Sequence, residues 1–153
     1  MKLDPKKVQF IVVHCADTTP SMKDVDVAEI DRWHRKRGFL KVGYHYVIKR
    51  DGVLEVGRKL NEVGAHCTGW NEKSVGICLV GGAKEVVTKT GTKTTSKLVE
   101  ENNFTEAQWN TLTQLLLQLK KTFANAKIIG HRDLNPYKYC PSFNVKKWVA
   151  ENP

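Results

Sequence analysis

The sequence predicts a mixed α/β fold: a single domain with a central β-sheet flanked by helices. Two observations carry that reading. Short β-branched runs alternate with segments of helical periodicity, the order that lays helices on the faces of a partly parallel sheet. The length of 153 residues suits one domain, with no internal repeat and no linker, so the expected unit is the whole of 1–153.

The elements follow in chain order. "VQFIVVH" (8–14) is apolar and β-branched, a buried strand ending at His14. After the loop "CADTTPS", "DVDVAEIDRWHRKRG" reads as a helix. Asp26 is its N-cap, Glu29 completes a capping box, Val27, Ile30 and Trp33 or His34 share a face, and Gly38 stops it. "VGYHYVIKRDGVLEVG" is a β-hairpin turning at Arg50-Asp51-Gly52, with Tyr44 and Tyr46 on one face of its first strand. The mixed polarity of "RKLNEVGAHCTGWNEK" makes it an exposed loop, and "SVGICLVGG" is a second buried strand. The Thr/Lys-rich stretch 83–103 is a projecting hairpin turning near Gly91, or a loop. "FTEAQWNTLTQLLLQLKKTF" is a helix: Thr105 and Gln108 form a capping box, and Phe104 and Trp109 a hydrophobic staple. Its core stripe is Trp109, Leu112, Leu115, Leu116, Leu119 and Phe123. "AKIIGH" is a last strand ending at His131, and "NVKKWVAEN" a terminal helix.

A net charge of +9 favours acidic partners such as nucleic acid, an anionic membrane or a wall polymer. There is no arginine-rich arm and no basic stretch interleaved with aromatics, so neither nucleic acid nor membrane is the expected partner. The four cysteines, Cys15, Cys67, Cys78 and Cys140, show no regular spacing, which argues against a disulfide framework. The apolar run near the start is too short for a signal peptide, so synthesis in the cytoplasm is expected.

Two strands end in histidine, and strand ends are where α/β folds place their sites. His14 and His131 can therefore meet at one edge of the sheet. A thiolate would complete a zinc set with one open position. Cys15 follows His14 directly and points to the opposite face, and Cys78 lies within an apolar strand. Cys140, on a loop stiffened by Pro136 and Pro141, and Cys67, beside His66, remain as competitors. Lys138 is either a solvated loop lysine or a donor to an oxyanion near the metal. Tyr44 and Tyr46 are either packing aromatics, or a tyrosine hydroxyl near the metal orients the attacking water or assists proton transfer.

The segments "FIVVHC", "WHRKRGFLKVGYHYVIKRDG", "VGAHCTGWNEKSVGICLVGG", "FTEAQ" and "CPSFNVKKW" occur in order and cover most of the chain. Together they resemble the zinc-dependent N-acetylmuramoyl-L-alanine amidases of the type 2 amidase and peptidoglycan-recognition-protein superfamily, in particular the small single-domain phage lysozyme-type amidases. The resemblance implies zinc ligation by His14, His131 and Cys140, a catalytic tyrosine at Tyr44 and a catalytic lysine at Lys138. It implies that His66, Trp70 and Asn71 line the substrate groove. The implied reaction cuts the amide between N-acetylmuramic acid and L-alanine in peptidoglycan or muropeptides, by a monomeric endolysin released to the wall. The alternatives are a peptidoglycan-binding module without catalysis, as in some recognition proteins, or an amidase that also inhibits a phage RNA polymerase, as one podophage member does. Two departures stand out: the Ala83–Asn103 connection is longer than in compact phage members, and the His131-to-Cys140 loop is one residue longer. Lys138 keeps its place relative to Cys140.

Overall fold

The computed structural model describes residues 2–22 and 25–152, so Asp24, included above in the first helix segment, lies outside the described residues. Five strands form the main sheet in the order β3-β2-β4-β1-β7, with β1 at Phe10–Cys15, β2 at Tyr46–Ile48, β3 at Leu54–Val56, β4 at Ser74–Leu79 and β7 at Lys127–Gly130. The pairs β2/β4, β4/β1 and β1/β7 are parallel and β2/β3 is antiparallel, which makes the expected mixed sheet.

Alternation along β1 divides the core. Ile11 and Val13 face a layer that includes Leu112, Leu115, Leu116 and Leu119 of helix α2 (Glu106–Thr122). On the other face, Val47 and Cys78 pack with Ile30 of helix α1 (Val27–Lys36). Each fully buried Leu, Ile or Val contributes about 1.5–3 kcal/mol, so the α2 stripe is a main source of cohesion. Thr105 caps α2 with the full box: its hydroxyl accepts from Gln108 N, and Gln108 Oε1 accepts from Thr105 N. Gln108 is itself buried, and its Nε2 donates to the carbonyls of Ile48 and Val80, tying α2 to the ends of β2 and β4. Phe104 and Trp109 meet edge-on at 5.6 Å, as a staple should.

Two expectations need correction. Asp26 caps α1 through Glu29 N, but the Glu29 carboxylate does not return to the cap; it accepts instead from Trp33 Nε1 and Arg32. Tyr44 and Tyr46 do not share a face. The strand begins only at Tyr46, so strict alternation does not reach back to Tyr44. Tyr46 packs on the α2 layer and Tyr44 on the α1 layer.

The stretch 83–103 is a hairpin apart from the main sheet, β5 (Ala83–Thr90) against β6 (Lys93–Glu100), turning at Gly91 with φ +62°. The chain closes with a short helical turn, α3 (His131–Leu134), and helix α4 (Val145–Glu151), capped by Asn144.

Candidate metal centre at the carboxyl ends of the parallel strands

The register of β1 on β7 ends with Val13 opposite Gly130, so the next residues, His14 and His131, emerge side by side. Their ring centroids are 4.5 Å apart. Asp133 closes this end of β7, its Oδ2 accepting from Gly130 N at 2.8 Å. The loop after α3 returns Cys140 to the same place, where Arg132 N donates to the Cys140 carbonyl at 2.9 Å. One ligand atom each from His14, His131 and Cys140 then lies within 4.8 Å of the others. Two imidazoles and a thiol within that span fit a tetrahedral zinc with one position left over.

The thiol has a second anchor. Cys15 N donates to Cys140 Sγ at 3.0 Å, the kind of contact that steadies a thiolate. The Cys15 side chain is not one of the three; its thiol lies 3.9 Å from Ser142 Oγ and beside the Cys140 thiol. Cys67 and Cys78 are buried and outside the group, which removes Cys67 as the competitor of Cys140. Burial pushes the Cys140 thiol well up.

Tyr44 stands against the group, its ring centroid 5.1 Å from that of His14. Burial holds its phenol well above the ordinary value, so the hydroxyl keeps its proton. His34, behind it at 5.3 Å, is a satisfied core histidine whose Nδ1 accepts from Gly43 N. Lys138 is exposed on the loop before Cys140. Burial, then the Lys138 charge, lowers the His131 pKa, which puts that ammonium within electrostatic reach of the group.

The three residues expected in the groove are placed differently. His66 is buried, because the loop carrying it folds inward over β4. Its Nδ1 is 2.8 Å from His14 Nε2, and burial first of all takes its pKa down to about 3. Asn71 is occupied internally: its Oδ1 accepts from both His66 N and Cys67 N at 2.9 Å. Trp70 packs edge-on against Phe10 at 5.4 Å, at the start of β1, and Lys73 Nζ lies 5.6 Å from its ring. Phe10 and His14 are four strand steps apart, about 13 Å, so Trp70 packs at the opposite end of β1 from the metal group.

Sequence reasoning left Ser74, Gly76 and the backbone of Cys15 without a role, and it left Tyr139 unassigned. Tyr139 donates its hydroxyl to Asp17, bridging the Cys140 loop to the loop after β1. The glycine inside the apolar run "SVGIC" was the one available signal, since an interior strand glycine often marks a close approach. A Cβ on Gly76 would lie 2.6 Å from the His66 ring.

Comparison with known proteins identifies the family. The N-acetylmuramoyl-L-alanine amidase family matches residues 4–143. The chain is 44% identical over 154 residues to the endolysin of Klebsiella phage KP32, covering 95% of this chain and 93% of the relative. It is 42% identical over 142 residues to the endolysin of Escherichia phage T7, covering 93% and 85%. Among solved structures, the N-acetylmuramoyl-L-alanine amidase LysC of Clostridium intestinale URNW superposes with TM-score 0.76 at 25% identity, covering 99% of this chain and 89% of that one. A polar cluster at the carboxyl ends of a mixed sheet and a match along nearly the whole chain lead to one conclusion: this chain belongs to the N-acetylmuramoyl-L-alanine amidase family.

Proposed function

We propose that the chain is a zinc-dependent phage-type endolysin that hydrolyses the amide between N-acetylmuramic acid and L-alanine, with His14, His131 and Cys140 as the zinc ligands. The observation that carries this reading is the convergence of those three side chains, from three separate segments, within 4.8 Å. Bound there, zinc would supply Lewis acidity and a nucleophile at neutral pH.

The protein's own residues then have defined tasks. The Tyr44 hydroxyl, beside His14, positions or deprotonates the attacking water. The Lys138 ammonium offsets the negative charge that develops on the carbonyl oxygen of the scissile amide. Collapse of the tetrahedral state returns the proton from the water to the alanine nitrogen, and the C–N bond breaks. Trp70, half-buried at the far end of β1, is assigned to the outer wall of the substrate groove, while Asn71 shapes the loop that carries it.

The excess of lysine and arginine favours approach to an anionic wall, an attraction that weakens as salt rises. No helix among the described residues is long and apolar enough to cross a membrane. On this reading the protein is monomeric, is made in the cytoplasm and acts once it reaches the wall. No described residue is tied to a polymerase contact. The test is mass analysis of digested sacculi. The reading predicts stem peptides with a free L-alanine amine and intact glycan strands; cleavage within the glycan or within the peptide contradicts it.

A further inference from the structure

His66 is absorbed neither by a groove nor by the core. Its ring lies over β4 in a slot made by two glycines: a Cβ at Gly76 would come within 2.6 Å of the ring and one at Gly64 within 2.7 Å. Such a slot fixes the ring plane, and its two nitrogens face two different partners. Nδ1 is 2.8 Å from His14 Nε2, and Nε2 is 3.2 Å from Ser74 Oγ.

The protons in this chain can be assigned by elimination. Ser74 carries one hydroxyl hydrogen, and its Oγ donates to the Trp70 carbonyl at 2.8 Å, which can only accept. Toward His66, Ser74 Oγ is therefore the acceptor, so the His66 proton is on Nε2. A neutral ring protonated at Nε2 has its lone pair at Nδ1. His14 Nε2 must then be the donor to it, which leaves the His14 lone pair on Nδ1.

We infer that Trp70 O, Ser74 and His66 form a relay that sets the tautomer and ring orientation of His14 before any metal binds, directing Nδ1 to the ion. His66 and Ser74 are positioning residues on this account, and the Trp70 backbone is the terminal acceptor. The inference rests on the reading of His14 as a zinc ligand. Groups of this kind, behind a ligand, change metal affinity by about 10–100-fold when removed.

The test begins with the full-length chain labelled with 15N at histidine and freed of metal by chelation. Side-chain 15N–1H correlation spectra report which nitrogen carries the proton. The relay predicts a single Nε2–H form for both His14 and His66. An Nδ1–H form or an averaged mixture at His14 overturns it, with no variant needed. The second arm is zinc affinity by chelator competition. His66→Leu removes the acceptor and weakens zinc binding by about 10–100-fold. His66→Asn, whose Oδ1 can stand where Nδ1 did, restores most of it. Affinity of His66→Leu equal to that of the parent overturns the relay. Cys140→Ser in the same assay separates the two claims. If it binds zinc as the parent does, the ligand assignment fails, whereas the tautomer spectrum of the metal-free chain still stands or falls by itself.

Discussion

The carboxyl ends of β1 and β7 and the β5–β6 hairpin are built on opposite terms. At the strand ends hydrogen bonds from separate segments converge. His14 contacts His66, Cys140 Sγ takes the Cys15 N–H, and Asp133 holds Gly130 N. The hairpin has almost no such commitments beyond its own ladder. Only Ala83 of its two strands is buried, and Val87 and Leu98 are 53% and 46% exposed. A two-stranded hairpin is marginal in isolation, and this one is secured at its base. Ala83 N donates to the Thr18 carbonyl, Asn103 accepts from Gly82 N and donates to the Ala83 carbonyl, and Ser142 Oγ donates to the Gly82 carbonyl. Order is thus concentrated where the chemistry needs fixed positions, and the hairpin borrows from it only at its root.

Perturbing each region should separate them sharply. The largest effect is expected at Lys138. Lys138→Ala should lower turnover about 10²–10³-fold, the usual loss for one oxyanion donor, while zinc content stays at the parent level. Unchanged turnover in a muropeptide assay would remove Lys138 from the mechanism. Next is Gly76→Ala, which drives a methyl into the buried His66 ring. Overpacking of that kind costs about 1–3 kcal/mol, read as a shift of the denaturation midpoint together with weaker zinc binding.

A smaller, pH-dependent effect comes from His34 and His45. Burial, first of all, holds both imidazoles below their ordinary value. His45 is fully used as the neutral ring, Nδ1 accepting from Gly76 N and Nε2 donating to the Glu62 carbonyl. The unfolded chain therefore takes up these protons first as pH falls. Stability is full above about pH 6.5 and declines below it, by up to about 1.4 kcal/mol per pH unit for each such proton. Urea denaturation between pH 7.5 and 5 checks the sign; stability that stays flat or rises toward pH 5 contradicts it. The smallest effect is expected at the hairpin. Replacing 86–97 by a two-residue turn between the paired Glu85 and Leu98 leaves the root intact. Stability should change by less than about 1 kcal/mol, with zinc content unchanged. A collapse of zinc binding would show that the hairpin is part of the centre.

What could be read in the sequence follows the same division. Helix α2 was legible because a stripe, a capping box and a staple all agree over its length. The meeting of His14 and His131 was legible because each ends an apolar run, and parallel strands bring such ends together. The loop from Arg58 to Lys73 was not legible. Its polarity suggested an exposed surface, yet His66 and Cys67 are buried. The burial depends on Gly64 and Gly76, and the absence of a side chain leaves no periodic trace. Tyr44 was assigned a face by alternation, and alternation holds only where the backbone is a strand. The Cys15 N–H bond to Cys140 joins residues 125 apart in sequence, and no local pattern encodes it.

The central claim is that three side chains from three segments hold one catalytic zinc. Metal analysis of the purified parent and Cys140→Ser, with wall lysis measured on the same samples, tests it most directly. The account predicts about one zinc per parent chain, with zinc and lysis lost together in Cys140→Ser. Full zinc and full lysis in that variant would contradict it.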